Sequence, residues 1–216
     1  MNLLEILYAA VLSIWVYFVA FHLTKWLYNI LKNKGLKDNV IVYFNRKIIH
    51  ILAGGLVALL VPLIFTSYII PLILGLLFAL ITYIPHRTGK LLYWFQDPNN
   101  YYEVNFCIMW AIIITIGWIL FNNPWIAVVP VLFMAFGDAT TGFVRNLIYK
   151  RRTKSWIGNI AMGIVSVPIG AIIGIAGIVA ALISSITEHF EFKYIDDNIT
   201  IPLVSFIVIY LIGLFF

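Results

Sequence analysis

The feature that most constrains this chain is its succession of long apolar runs cut by short polar breaks. Residues 3–23, 48–64, 68–84, 106–121, 125–136, 156–186 and 201–216 are almost wholly apolar. A bilayer core about 30 Å thick is crossed by a helix of about 20 such residues. The sequence is 63% hydrophobic and 11% charged, whereas a soluble domain carries about a quarter charged residues. The surplus apolar surface must face lipid, which predicts an all-α, polytopic transmembrane helix bundle. A chain of 216 residues allows one integral membrane domain over 1–216. Cys107 is the only cysteine and sits in an apolar run, which excludes an intrachain disulfide and a cysteine zinc site.

The charges are grouped. Of the 14 Lys and Arg residues, six fall between Lys25 and Lys47, two are Arg87 and Lys90, and five fall between Arg145 and Lys154, leaving only Lys193. Such clusters between apolar runs mark cytoplasmic loops by the positive-inside rule; they also suit anionic headgroups or a polyphosphate ligand. The first 24 residues lack a basic leader and are followed by Lys25. This pattern predicts an uncleaved first span over 1–24 with the N-terminus outside. Asn33-Lys34-Gly35-Leu36-Lys37-Asp38-Asn39 reads as a turn, Thr66-Ser67 as a break and Asn122-Asn123-Pro124 as a second turn. Tyr93, Trp94, Tyr101 and Tyr102 flank the loop 86–103 as an interfacial aromatic belt. Asp197-Asn198-Ile199-Thr200 offers N-cap residues for a last helix, with Pro202 in its first turn. The run 156–186 fits either one tilted span packed through Gly170, Gly174 and Gly177 or a hairpin of two short spans. The hairpin is preferred and gives eight spans; the single helix gives seven.

Four clusters carry chemistry. Arg46-Lys47-Ile48-Ile49-His50 places Arg46 and His50 on one helical face as a cationic clamp beside an imidazole; a basic anchor with a bundle-bonded histidine is the alternative. Gly137-Asp138-Ala139-Thr140-Thr141-Gly142 continues to Arg145. A helix begun at Pro124 rises about 21 Å before Asp138, so this carboxylate lies within the inner leaflet, where ionisable groups are costly and commonly functional. It suits Mg²⁺, with small neighbours admitting a nucleotide; a buried Asp–Arg pair is the competing reading. Lys150-Arg151-Arg152-Thr153-Lys154-Ser155-Trp156, with Arg145, supplies cations for a triphosphate or for headgroups. Glu188 and Asp196-Asp197-Asn198 offer oxygen ligands. A glycine-rich phosphate loop, a metalloprotease helix and a serine nucleophile elbow are all missing from the sequence. The polar groups gather toward one membrane face, which suits an enzyme acting on a lipid headgroup better than a transporter with polar groups at mid-bilayer.

Taken together, Arg46-Lys47-x-x-His50, Gly137-Asp138, Lys154-Ser155 with Gly158, Glu188 and Asp197-Asn198-Ile199-Thr200-Ile201-Pro202-Leu203 lie in order over 46–205. In this the chain resembles the dolichol kinase and phytol kinase family of CTP-dependent polyprenol kinases. It departs from that family at Lys154-Ser155-Trp156-Ile157-Gly158-Asn159, where the family's acidic residue before the glycine is missing, and at Thr141 and Arg145, where the family often has spaced Ala and Gly residues; a divergent, archaeal-looking branch fits these changes. The hairpin preference above leans on the same resemblance.

The resemblance implies transfer of the γ-phosphoryl group of CTP to the hydroxyl of a prenol such as dolichol, giving the polyprenyl monophosphate. The enzyme would sit in the cell membrane of a prokaryote, or the endoplasmic reticulum of a eukaryote, with its site at the cytoplasmic face. Asp138 would bind Mg²⁺ or act as general base, and Asp197, Asn198 and Glu188 would complete the metal site. Arg46, Lys47, Arg145 and Lys154, with Ser155, Gly137 and Gly158, would contact the nucleotide and its phosphates. His50 would orient or deprotonate the hydroxyl. A CTP-dependent cytidylyltransferase of the CDP-archaeol or CDP-diacylglycerol type, and a non-enzymatic transporter, remain the alternatives; nucleic acid is not an expected partner.

Overall fold

The computed structural model describes residues 2–149, 153–190 and 195–214. The described residues form helices and no β-strand. Eight helical rods follow in chain order: α1 Leu3–Asn33, α2 Asp38–Ile64, α3 Ile69–Thr88, α4 Tyr102–Phe121, α5 Pro124–Tyr149, α6 Trp156–Ala171, α7 Ile175–Thr187 and α8 Asp197–Gly213. The first five are long and apolar enough to cross a membrane, and the last three are shorter apolar helices.

The chain alternates direction. Glu5 near the start of α1 accepts hydrogen bonds from Thr66 in the turn after α2, through the Thr66 N–H at 3.2 Å and Oγ1 at 2.6 Å. Farther along, Asn45 of α2 donates to the Thr24 carbonyl of α1 at 2.7 Å. At one end of the bundle, odd helices therefore finish and even helices start. Every described Lys and Arg lies toward that end. The other end carries the turns at 65–68, 122–123 and 172–174, with Glu5 as its one charge among the described residues.

α5 is the central rod. Its residues Ala127, Val128, Val129, Val131, Leu132, Phe133, Met134 and Ala135 are wholly buried, and α2, α4, α6 and α8 pack around it. The run 156–186 resolves as a hairpin. Gly174, at φ +76°, turns the chain in a region that residues with a Cβ avoid. Gly170 and Gly177 face each other so closely across the two helices that neither could carry a side chain.

Three rods contain one π-helical turn each: Phe18–Leu23 in α1, His50–Gly55 in α2 and Phe133–Gly137 in α5. In each, the N–H of the next residue reaches back five positions: Thr24 to Val19, Leu56 to Ile51 and Asp138 to Phe133. The carbonyl that an α-helix would have used is freed, and a buried carbonyl needs a new donor. Trp94 gives its indole N–H to Ala20 at 2.8 Å, and Trp15 gives its own to Leu52 at 2.8 Å. The turn in α2 touches the turns in α1 and α5.

The structure corrects several expectations. The first helix does not stop at residue 23 but runs to Asn33. Trp94 is buried, held by the freed carbonyl of α1, while Tyr93 and Tyr101 are exposed as belt residues should be. Pro202 lies in the second turn of α8, whose N-cap is Asp196; lacking an N–H, it leaves the Asn198 carbonyl without its helical donor. Lys150, Arg151, Arg152 and Lys193 lie outside the described residues.

Candidate functional site

The charged end of the bundle holds a buried ion network. It is assembled from the first half of α2, the second half of α5, the start of α6, the end of α7 and the start of α8. Asp138 emerges from the π-turn of α5 and is 3% exposed. Its Oδ2 accepts from Lys47 Nζ at 2.6 Å and lies 3.6 Å from His50 Nδ1. The Asp138, Thr141, Gly142 and Arg145 face expected for α5 is buried as a unit.

Arg145 holds Glu188 in a fork, Nη1 to Oε1 at 2.7 Å and Nη2 to Oε2 at 2.8 Å. The same guanidinium donates to Asn159 Oδ1 at 2.8 Å and to the Ser155 carbonyl at 3.0 Å. Glu188 also accepts from Lys154 at 2.9 Å and from Asn159 at 3.2 Å. Lys154 bridges onward to Asp197, at 2.9 and 3.1 Å. Burial works against the Lys154 ammonium, but Asp197 and Glu188 outweigh it and hold its pKa above the ordinary lysine range.

One oxygen each of Asp138, Glu188 and Asp197 lies within 4.8 Å of the others. Three carboxylates thus converge, matched by three cations, Lys47, Arg145 and Lys154. Next in sequence to Asp197, Asn198 has its Oδ1 buried without a donor among the described residues, while its amide donates to the Tyr102 carbonyl at 3.0 Å. An all-oxygen donor set of this kind, including an orphaned amide oxygen, fits a hard cation such as Mg²⁺.

Some expected roles change with the geometry. Arg145 spends its donors on Glu188, Asn159 and Ser155, so it acts as a clamp on a carboxylate rather than a free phosphate ligand. Glu188 accepts four donors, which leaves Asp138, Asp197 and Asn198 as the readier metal ligands. Gly137 and Gly158 do not open onto a ligand. A Cβ at Gly137 would meet Ser166 Oγ at 2.6 Å, and one at Gly158 would meet Thr141 Cγ2 at 2.8 Å and Arg145 Cδ at 2.9 Å. Both glycines let α6 press against α5. The hydroxyl of Ser155 is buried without a partner among the described residues. Arg46 and His50 line one cleft from the same stretch of α2, but Arg46 has no bond to the acids among the described residues. It stacks on the Tyr102 ring, 3.8 Å from its centroid, while Lys47 and His50 turn to Asp138.

A long cleft adjoins the network. It lies between α1 and α3, floored by α2 and α4, and its walls are almost entirely apolar: Leu12, Val16, Ala53, Val57, Leu74 and Phe78 among them. α1 packs on α2 and α3 on α4, and α1 and α3 scarcely touch. Arg46, His50 and Glu103 form its polar end. His50 stacks on Phe106, ring centroids 4.2 Å apart, and so stands between the cleft and Asp138.

Sequence reading missed Asn159, Glu103 and His86. Glu103 accepts from Gln96 at 2.8 Å and pairs with His86 at 2.6 Å. Glu103 closes the loop 86–103 in the sequence, and its partners lie 7 and 17 residues distant. Compared with protein-family models, characterised proteins and solved structures, the chain matches none.

Proposed function

We propose that this protein is a membrane lipid kinase that moves the γ-phosphoryl group of CTP to the hydroxyl of a prenol such as dolichol. The observation that carries the reading is the convergence of Asp138, Glu188 and Asp197, matched by Lys47, Arg145 and Lys154, against the polar end of an apolar cleft. A phosphoryl-transfer site needs charge neutralisation and positioning more than covalent chemistry. Water-soluble nucleotide and membrane-dissolved alcohol must meet at one boundary, and His50 stands at such a boundary. The choice of CTP and of a prenol rests on the resemblance of the motifs over 46–205.

In this reading Asp138, Asp197 and Asn198 hold Mg²⁺, which would offset phosphate charge and orient the nucleotide. Lys47 and Lys154 exchange their carboxylate partners for phosphate oxygens as the nucleotide enters. Arg145 keeps Glu188 fixed. The acceptor oxygen bonds to the γ-phosphorus, the bond from that phosphorus to its bridging oxygen breaks, and CDP leaves with the electron pair. The hydroxyl proton passes to the His50 imidazole, whose Nδ1 is turned toward Asp138. The charged end, rich in Lys and Arg, faces the cytoplasm, and the N-terminus lies outside.

The test is transfer by purified protein from γ-labelled and α-labelled CTP to a prenol panel. Label from the γ position alone should enter lipid, with CDP released. Asp138→Asn should lower transfer at least about 10²-fold, measured per mole of folded protein, because leaving the buried Lys47 without its counter-ion also lowers stability. Label from the α position with pyrophosphate release would mean cytidylyl transfer, and no lipid label from either would refute an enzyme of this class.

A further inference from the structure

Two of the three π-turns serve the ion network: one carries His50 in α2 and one leads into Asp138 in α5. The third, Phe18–Leu23 in α1, carries His22 and has no part in that network. Single π-turns inside α-helices frequently mark functional sites. An open groove of about 530 Å³ runs along α1 here, with Phe18, Phe21, His22, Lys25, Trp26 and Asn29 among its walls. The His22 ring packs against Tyr17 and Phe18, with centroids 5.4 and 6.2 Å away, and is thereby held at the groove.

The charge at this groove has no counter-charge on its own rod. Lys25 forms no ion pair among the described residues, and its ammonium lies 5.1 Å from the centroid of the Trp94 ring. The sequence has no carboxylate between Glu5 and Asp38, and Asp38 is taken by Lys32 and Tyr28. The depth of the groove is fixed as well. Glu5 is the one described charge of the opposite end, and Lys25 follows it by 20 positions, about 30 Å along a helix. A hydrocarbon core is about 30 Å thick. His22 and Lys25 therefore stand at the level of lipid phosphates, with Phe18 and Phe21 just inside the apolar region. Trp26, 58% exposed, has the amphipathic ring of an interfacial residue and an indole N–H to donate.

We infer that this groove binds the headgroup of an anionic phospholipid in the leaflet at the charged end of the bundle. One phosphate oxygen accepts from the Lys25 ammonium and another from an N–H of His22, while Asn29 and Trp26 offer N–H donors to the remaining headgroup oxygens. The glycerol and the first acyl carbons lie on Phe18 and Phe21. A free phosphate would leave those rings uncovered. A choline or ethanolamine headgroup would bring a second cation beside Lys25, with no carboxylate on the rod to receive it. This lipid is not the proposed substrate, and its site stands whether or not the protein transfers phosphate.

The experiment is native mass spectrometry of the purified full-length protein in non-ionic detergent, titrated with dioleoylphosphatidylglycerol, dioleoylphosphatidylcholine and inorganic phosphate, with thermal unfolding in parallel. One phosphatidylglycerol should bind at least about fivefold more tightly than phosphatidylcholine, the factor that one cation near a headgroup supplies. Inorganic phosphate should not displace it. Lys25→Gln should remove the preference, and His22→Gln should weaken phosphatidylglycerol binding by a smaller factor. Lys34→Gln makes the same charge change at the exposed turn after α1 and should leave the preference in place. All three variants alter exposed side chains and should unfold within about 2 °C of the parent. Equal affinity for the two lipids, a preference that survives Lys25→Gln, an equal loss in Lys25→Gln and Lys34→Gln (the mark of diffuse attraction to the basic end), or displacement by phosphate overturns the inference.

Discussion

If Arg145 is a clamp built into the resting fold, removing it must destabilise the protein before any nucleotide is added. The side chains of Arg145 and Glu188 are 5% and 2% exposed, and two hydrogen bonds of 2.7 and 2.8 Å join them. Breaking a buried pair by removing one partner costs about 3–5 kcal/mol, because the other charge stays buried. Glu188 would still face Lys154 and Asn159, which places Arg145→Met near the lower end, about 3 kcal/mol. For a chain of this size that is a fall of about 6–12 °C in Tm. Glu188→Leu should cost a comparable amount, but the double variant should cost clearly less than the sum, with a coupling of at least about 1.5 kcal/mol. The assay is thermal unfolding in detergent without nucleotide, on parent, two single variants and the double. If Arg145→Met shifts Tm by less than about 2 °C, or the two effects add, the guanidinium is not committed to Glu188 and is free to serve a phosphate.

Other outcomes follow from the same geometry. Gly158→Ala should destabilise by about 1–3 kcal/mol in that assay, because its methyl would fall 2.8 Å from Thr141 Cγ2. Trp94→Phe should cost about 0.5–1.5 kcal/mol and speed amide exchange across 18–24, where the Ala20 carbonyl loses its indole donor. In a Cys107→Ala background, Lys34→Cys should react with an impermeant maleimide only from the cytoplasmic side and Ser67→Cys only from the opposite side. The reverse pattern would invert the orientation proposed above. Chelation with EDTA should stop lipid phosphorylation, and Mg²⁺ should restore it.

The helical class and most breaks were readable because they rest on composition and punctuation. The turn at 34–37, the break after Ile64 and the reversal at Asn122-Asn123 follow from polar residues between apolar runs, whereas the glycines around Gly174 fit one tilted helix as well, and the preference for a hairpin there leans on the resemblance. The gathering of Lys47, His50 and Asp138 at one end follows from alternating spans, and Glu188 and Asp197 join them only because 156–186 is a hairpin. Pairings within that end were not. Nothing in the spacing of Arg145 and Glu188, 43 residues apart, says that they bond to each other rather than to a ligand. Glu103 gave no signal, since its partners depend on how the loop 89–101 folds back. The π-turns were equally invisible: five-residue backbone reach is set by tertiary donors such as Trp15 and Trp94, not by local propensity.

One added residue per turn changes what a straight rod can do. Each residue of an α-helix advances the winding by about 100°, so the insertion at His50–Gly55 resets the azimuth of everything before it relative to everything after. Lys47 can then point at the acid on α5 while Val57, downstream, keeps its own bearing along the slot wall. Trimming a single position from that segment would leave composition and hydropathy nearly unchanged, yet would swing the ammonium away from its counter-ion. The buried ion network and the apolar slot are thus aimed by separate stretches of the same rod.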